Sequence, residues 1–199
     1  MSRLLLVRHG ETTWNARRQL QGQMDIGLSD TGRAQVAGLA AAVRTHSPTK
    51  VIVSPLLRAV QSCEVLGFEP DFVDKRWQEA DLGDWTGVES TTLKAAGDGL
   101  YDRWRWGEHT PPGGESFREL SARVADALAE LATGDDTTLV VTHGGPIRAA
   151  CAHLVGLVPR HVVSVSPGSL TVIDQVPGRP ATLRAYNHTK PVPVEEPPD

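Results

Sequence analysis

Two cysteines, Cys63 and Cys151, are all that the 199 residues contain, and neither has a CxxC or CxxH neighbour. That rules against a disulfide-stapled fold and leaves a zinc site without its usual ligand spacing. Two buried free thiols in a reducing cytoplasm are the expectation. Long hydrophobic runs are also missing: Leu4-Leu5-Leu6-Val7 is interrupted by Arg8, too short for a signal-peptide core or a membrane span. There is no surplus of positive charge. A net charge of −4 gives no reason to expect a nucleic acid or an anionic membrane as partner. No GxGxxG, GxxxxGK[ST] or GxSxG occurs, so dinucleotide, Walker-type and α/β-hydrolase readings lose their main support.

What is present is a globular composition, 40% apolar and 22% charged, in a length that suits one domain. We expect that domain to span residues 1–189, with a Pro-rich, disordered tail over 190–199. Short apolar runs predict strands at Arg3–Val7, Val51–Val53 and Leu139–Val141, with a short one at Phe72-Val73 and two more at Leu170–Ile173 and Leu183–Tyr186. Helical spacing predicts a helix opened by Ser29-Asp30-Thr31 with Ala34, Val36, Ala37, Ala40 and Val43 on its apolar face. Another should start at Pro55 and run to about Leu66. Further helices are expected around Leu100–Trp106, over Glu115–Leu131, and from Gly145-Pro146 to about Leu154. Strands alternating with helices imply an α/β fold: a three-layer α/β/α sandwich, its sheet mostly parallel and covered on both faces.

Three of these strands end in reactive residues. The first runs into Arg8-His9-Gly10-Glu11-Thr12, the second into Ser54-Pro55 with Arg58 close behind, and the third into Thr142-His143-Gly144-Gly145 at a helix start. Parallel strands bring their C-terminal ends to one edge, where ligands bind. Two histidines, two arginines and a helix N-terminus on one edge describe a phosphate pocket. Gly10 would let backbone approach the ligand. An imidazole there can attack phosphorus.

These blocks, taken in order, resemble the histidine phosphatase (phosphoglycerate mutase-like) superfamily. The resemblance rests on Arg8–Thr12, Trp14-Asn15, Gln21-Gly22, Leu28-Ser29, Ser54–Ala59 with Gln61-Ser62, and Glu79 ahead of Leu82–Trp85. Pro112–Ser116, Thr142–Gly145 and Tyr186–Thr189 complete it. It implies a phosphomonoester hydrolase with His9 as the nucleophile that becomes a phosphohistidine. Arg8, Arg58 and His143 would clamp the phosphoryl oxygens and Asn15 would add a hydrogen bond. Glu79 would be the general acid and then the base. Gln21, Gly22 and the Gly144 backbone would line the substrate side. His9 should attack as neutral imidazole with its other nitrogen pinned by a backbone carbonyl, and His143 should be the protonated one. Glu79 must begin protonated, which partial burial would favour and which leans the pH optimum to acid. Arginines stand where other phosphoryl-transfer enzymes use Mg²⁺, so no metal and no cofactor is expected.

The expected partner is a small phosphorylated metabolite, with a homodimer left open. Relatives of this size act on sugar phosphates, phosphoglycerate derivatives, α-ribazole phosphate, fructose 2,6-bisphosphate or phosphoamino acids. Two other readings stay in view: a 2,3-bisphosphoglycerate-dependent mutase and a catalytically inactive phospho-ligand-binding domain. The long basic insertion that mutases carry after the acid is absent, which favours hydrolysis. The chain departs from the family pattern at Trp85-Thr86-Gly87, where a central Glu is common, and at Lys190-Pro191, where His-Leu is usual. Glu11 reads equally as a charge partner or a helix-start residue. Asp81 is the rival acid. Tyr101, Trp104 and Trp106 read as core or as a lid. Arg103 and Arg105 read as a solvated helix face ahead of a second anion site.

Overall fold

Six strands form one sheet: β1 (Ser2–Arg8), β2 (Lys50–Val53), β3 (Phe72–Val73), β4 (Thr137–Thr142), β5 (Ser169–Gln175) and β6 (Thr182–His188). Their spatial order is β3-β2-β4-β1-β5-β6, with β3, β2, β4 and β1 mutually parallel and β5 antiparallel to both its neighbours. The computed structural model describes residues 1–131 and 136–189, and the tail over 190–199 lies outside the described residues.

The strand period of two divides the apolar side chains between the sheet's faces. Leu5, Val7, Val51, Val53, Leu139 and Val141 pack under helices α2 (Asp30–Thr45) and α3 (Leu57–Leu66), a short helix α1 (Thr13–Ala16) preceding them in the chain. Leu4, Leu6, Ile52 and Val140 face the other way. They pack with Trp77, Trp85 and the helices α6 (Phe117–Leu131) and α7 (Gly144–Val155); α4 (Ser90–Ala95) and α5 (Leu100–Arg105) lie between these in the chain. This is the expected three-layer arrangement. Cys63 and Cys151 are buried free thiols, one on each side, and burial raises them to about 11 and about 12. No helix among the described residues is long and apolar enough to cross a membrane.

Helix boundaries follow local hydrogen bonding more closely than composition. In α2 the Ser29 hydroxyl caps the Gly32 amide. The buried stripe is Val36, Leu39 and Val43, whereas Ala34 and Ala37 are exposed. Pro55 does not open α3. Ser54 still extends β2 by donating its amide to Val141, and the helix starts at Leu57, whose amide is capped by Asp25 Oδ1 at 2.7 Å. Ser116 and Glu119 form a reciprocal capping box, so α6 starts at Phe117 rather than Glu115. Helix α4 buries no residue, which is why no apolar period announced it.

Gly10 and Gly32 lock the first loop onto α2. A Cβ on Gly10 would stand 2.2 Å from the Gly32 carbonyl oxygen, and one on Gly32 would stand 2.0 Å from the Glu11 oxygen. The missing side chain at Gly10 therefore accommodates protein backbone, not ligand.

Candidate active site

Register places the reactive residues. Arg8 pairs with Thr142 across β1 and β4, and Val53 pairs with Val141 across β2 and β4. Arg8-His9, Ser54 and Thr142-His143 therefore leave the sheet together, at the point where the chain order switches side. The cleft on this edge is lined by Arg8, His9, Asn15, Gln21, Gly22, Arg58, Glu79 and Gly144. Of the nine residues named from sequence, only His143 does not form part of its wall.

His9 is buried, and its Nδ1 lies 2.6 Å from the Gly10 carbonyl oxygen. A carbonyl accepts only, so Nδ1 carries the proton and Nε2 keeps its lone pair. Burial, then Arg58 and Arg8, hold the ring well below its ordinary pKa. The geometry provides the neutral imidazole, pinned at Nδ1 by a backbone carbonyl, that the sequence leads one to expect. Arg8 directs one Nη1–H to the Val165 carbonyl, while its buried Nε has no protein acceptor among the described residues. Asn187, at φ 57°, donates to the Ser164 carbonyl and so helps hold the loop that bears Val165.

Arg58 is fully buried in the first turn of α3. Nη2 and Nη1 donate to the Gly22 and Met24 carbonyls, each at 2.7 Å, and Nε donates to His143 Nδ1 at 3.2 Å. Burial brings both Arg8 and Arg58 down to about 10, which still leaves them charged at neutral pH. Gly22 thus belongs to the site through its carbonyl and its left-handed φ of 49°. Thr12 and Asn15 cap α1 reciprocally, committing Asn15 Oδ1 and leaving its NH₂ to donate elsewhere. Gln21 accepts from Thr12 Oγ1 at 2.9 Å.

His143 differs from the expectation of a protonated group. It is fully buried, its ring centroid is 5.1 Å from that of His9, and Nδ1 accepts from Arg58. The remaining proton is on Nε2, which donates to Ser54 Oγ at 2.7 Å. Burial and the neighbouring cations hold it well below its ordinary pKa, so the ring is neutral.

Glu79 is held from several sides. Arg123 and Gln23 donate to its carbonyl, and Thr142 Oγ1 donates to the Trp77 carbonyl nearby. Its carboxylate accepts from the Ala80 amide at 2.9 Å and from the Gly145 amide at 3.1 Å, in the first turn of α7. A Cβ on Gly145 would fall 2.1 Å from Glu79 Oε1. Asp81, the rival acid, is exposed and caps the Gly83 amide. Glu11 accepts from the Ser29 hydroxyl and does not line the cleft. Among the described residues no group of three His, Cys, Asp or Glu is arranged to hold a metal ion.

Sequence reasoning placed Ser54 at a strand end but gave it no role in the site. It also passed over Arg148, one turn after Gly144 on α7. Arg105 lines the cleft with Tyr101 and Trp104, while Arg103 and Trp106 are exposed. Trp77 and Trp85, which flank the Glu79 segment, pack in the core.

The two buried histidines make stability pH-dependent. Their folded pKa values lie below the unfolded value, so the unfolded chain takes up protons first as pH falls. Stability is full above about pH 6.5 and declines below it, approaching about 1.4 kcal/mol per pH unit for each histidine. Urea unfolding at pH 7.5, 6.0 and 5.0 checks this, and His143→Gln should flatten the slope.

Residues 4–188 match the family described as the histidine phosphatase superfamily, branch 1. The chain belongs to this superfamily. It is 36% identical over 171 residues to a glucosyl-3-phosphoglycerate phosphatase of Mycolicibacterium vanbaalenii, covering 78% of this chain and 75% of that protein. It is also 36% identical over 172 residues to a probable phosphoglycerate mutase of Salmonella choleraesuis, covering 79% and 76%. A solved mycobacterial glucosyl-3-phosphoglycerate phosphatase in complex with VO3 superposes with a TM-score of 0.85 at 30% identity, over 94% of this chain and 98% of that one. The histidine phosphatase fold is shared, and the protein is a phosphatase of this superfamily.

Proposed function

We propose that the protein hydrolyses the phosphomonoester of a small metabolite through a phosphohistidine at His9. The observation that carries this reading is the His9 Nδ1–H to Gly10 carbonyl bond, which leaves Nε2 with its lone pair beside Arg8 and Arg58. In the first step Nε2 attacks phosphorus, the P–O bond to the alcohol breaks, and the leaving oxygen takes the Glu79 proton. In the second, water attacks phosphorus as Glu79 takes its proton, and the P–N bond breaks to release phosphate. Arg8, Arg58, the Asn15 NH₂ and the Gly144 backbone stabilise the equatorial oxygens, permanent positive charge serving a transition state that is mostly positioning and electrostatics. His143 positions Arg58 through Nδ1 and supports the His9 ring. Gln21 and Gly22 shape the substrate side. A cytoplasmic setting is the reading that fits a chain whose two cysteines are buried on opposite faces of the sheet, too far apart to depend on a disulfide.

A mutase is the second reading, supported by the Salmonella relative. Incubation with 3-phosphoglycerate, primed with 2,3-bisphosphoglycerate, in the presence of EDTA separates the two. We expect inorganic phosphate to appear faster than 2-phosphoglycerate. Faster interconversion than release would establish the mutase, and binding with neither would establish an inactive binding domain.

A further inference from the structure

We propose that Asn187 is a positioning residue for the phosphoryl clamp: it fixes the Val165 carbonyl, and that carbonyl selects which edge of the Arg8 guanidinium faces the phosphoryl group. The proposal deepens the phosphatase reading above and rests on it. Asn187 belongs to β6, yet its φ is 57°, in the left-handed region that Asn enters more readily than most side chains. The β5–β6 ladder is irregular at this place. Leu170 faces His188 and Val172 faces Ala185, so three residue steps on β6 oppose two on β5, and β6 bulges. The Asn187 amide accordingly donates to the Thr171 hydroxyl, at 3.2 Å. A bulge re-aims the side chains it carries, and a sparsely populated backbone conformation persists only where its surroundings hold it.

The re-aimed carboxamide holds the loop between α7 and β5 on both sides of Val165. Its Nδ2 donates to the Ser164 carbonyl at 3.1 Å, and its Oδ1 accepts from the Ser166 amide. Val165 between them is buried, and its carbonyl accepts from Arg8 Nη1. The Gly168 amide of the same loop donates to the His9 carbonyl at 2.9 Å, so one loop steadies both the clamp and the nucleophile's backbone. A guanidinium offers an end-on fork, Nη1 with Nη2, and a side-on fork, Nε with Nη2. Tying Nη1 to Val165 closes the first and leaves the second. Nε is buried and has no protein acceptor among the described residues. A Cβ on Gly144 would stand 3.7 Å from it, so this open edge borders the start of α7 in the cleft wall. A buried donor without an acceptor is costly, and phosphoryl oxygens held side-on would satisfy it.

The test is a double-mutant cycle between Asn187 and Arg8. Asn187→Gly keeps the left-handed backbone and removes both side-chain bonds to the loop. Its kcat/KM for p-nitrophenyl phosphate should fall by about 10- to 100-fold, the scale of a reacting contact misplaced by about 1 Å. Its affinity for orthovanadate, measured by titration calorimetry, should weaken in parallel. In Arg8→Lys there is no fork to select. Adding Asn187→Gly to that variant should change either quantity by less than about twofold, the scatter expected of uncoupled sites. A purely structural Asn187 would cost the same factor with Arg8 or with lysine at this position, and that additivity overturns the proposal. So does an Asn187→Gly enzyme with wild-type kcat/KM. Wild-type protein that hydrolyses no phosphomonoester overturns the phosphatase reading instead. Should Asn187→Gly not fold, Asn187→Asp goes through the same cycle. It keeps the acceptor for the Ser166 amide and loses the donor to the Ser164 carbonyl, and its loss must likewise vanish in Arg8→Lys.

Discussion

His9→Ala should lose hydrolysis of every phosphomonoester, with kcat falling by roughly 10⁴ to 10⁶, the range expected when a covalent nucleophile is removed. The loss has a structural reason beyond the missing nitrogen. Nδ1–H is tied to the Gly10 carbonyl, and Gly10 is itself wedged against Gly32, so the imidazole has one orientation. The other histidine of the site cannot substitute, because His143 has both ring nitrogens engaged, one by Arg58 and one by Ser54. Rapid alkaline quench with ³²P-labelled substrate, with acid treatment as the control that releases the label, provides the direct readout. Wild-type protein should carry an alkali-stable, acid-labile phosphoryl group, and the variant none. A variant that turns over at wild-type rate, or that still forms the phosphoenzyme, would place the nucleophile elsewhere. A thermal melt must accompany the kinetics, since His9 is a buried side chain.

Glu79→Gln should separate substrates by leaving group. Its amide oxygen can still accept from the Gly145 and Ala80 amides, so the loop stays in place, but there is no proton to give. For an alkyl ester such as glycerol 3-phosphate, kcat/KM should fall by about 10² to 10⁴, the usual reach of general acid catalysis. p-Nitrophenolate leaves without protonation, so its release should suffer far less. The second step still lacks its base, so p-nitrophenyl phosphate should give a burst followed by slow turnover, with phosphoenzyme accumulating. Equal losses with both substrates and no burst would count against Glu79. Gly145→Ala is an independent probe. Its new Cβ would stand 2.1 Å from Glu79 Oε1 and 3.1 Å from Leu120 Cδ2, both ends of flexible side chains, so the fold should be kept while the carboxylate is displaced, and the same leaving-group dependence should appear.

Much of this site is legible in the chain because the reacting groups are attached to strand ends. Arg8-His9, Ser54 and Thr142-His143 each follow an apolar run that can only be a buried strand, and parallel pairing carries their ends to one edge. The neutral His9 is legible as well, since the acceptor it needs is its neighbour's carbonyl. Errors arise where one element is judged without its partner. Pro55 has the right φ to start a helix, yet β2 continues through Ser54 and Asp25, thirty-two residues away in sequence, sets the start at Leu57. His143 looks like a cation facing phosphate until Arg58 is found donating to it. Arg105 looks like a solvated face until α5 is folded over the cleft.

The sequence alone determined the architecture and pointed to His9 as the candidate nucleophile, because periodicity dictates which face of each strand is buried and a strand's end fixes the residue that follows it. Only the tertiary structure decided the protonation of His143, the separation of Glu79 from Asp81, and the gathering of Arg105 and Arg148 beside Arg8 and Arg58. Those are questions of who shares a low-dielectric space with whom, and the energy of a buried charge is set by neighbours that the chain brings together from distant positions.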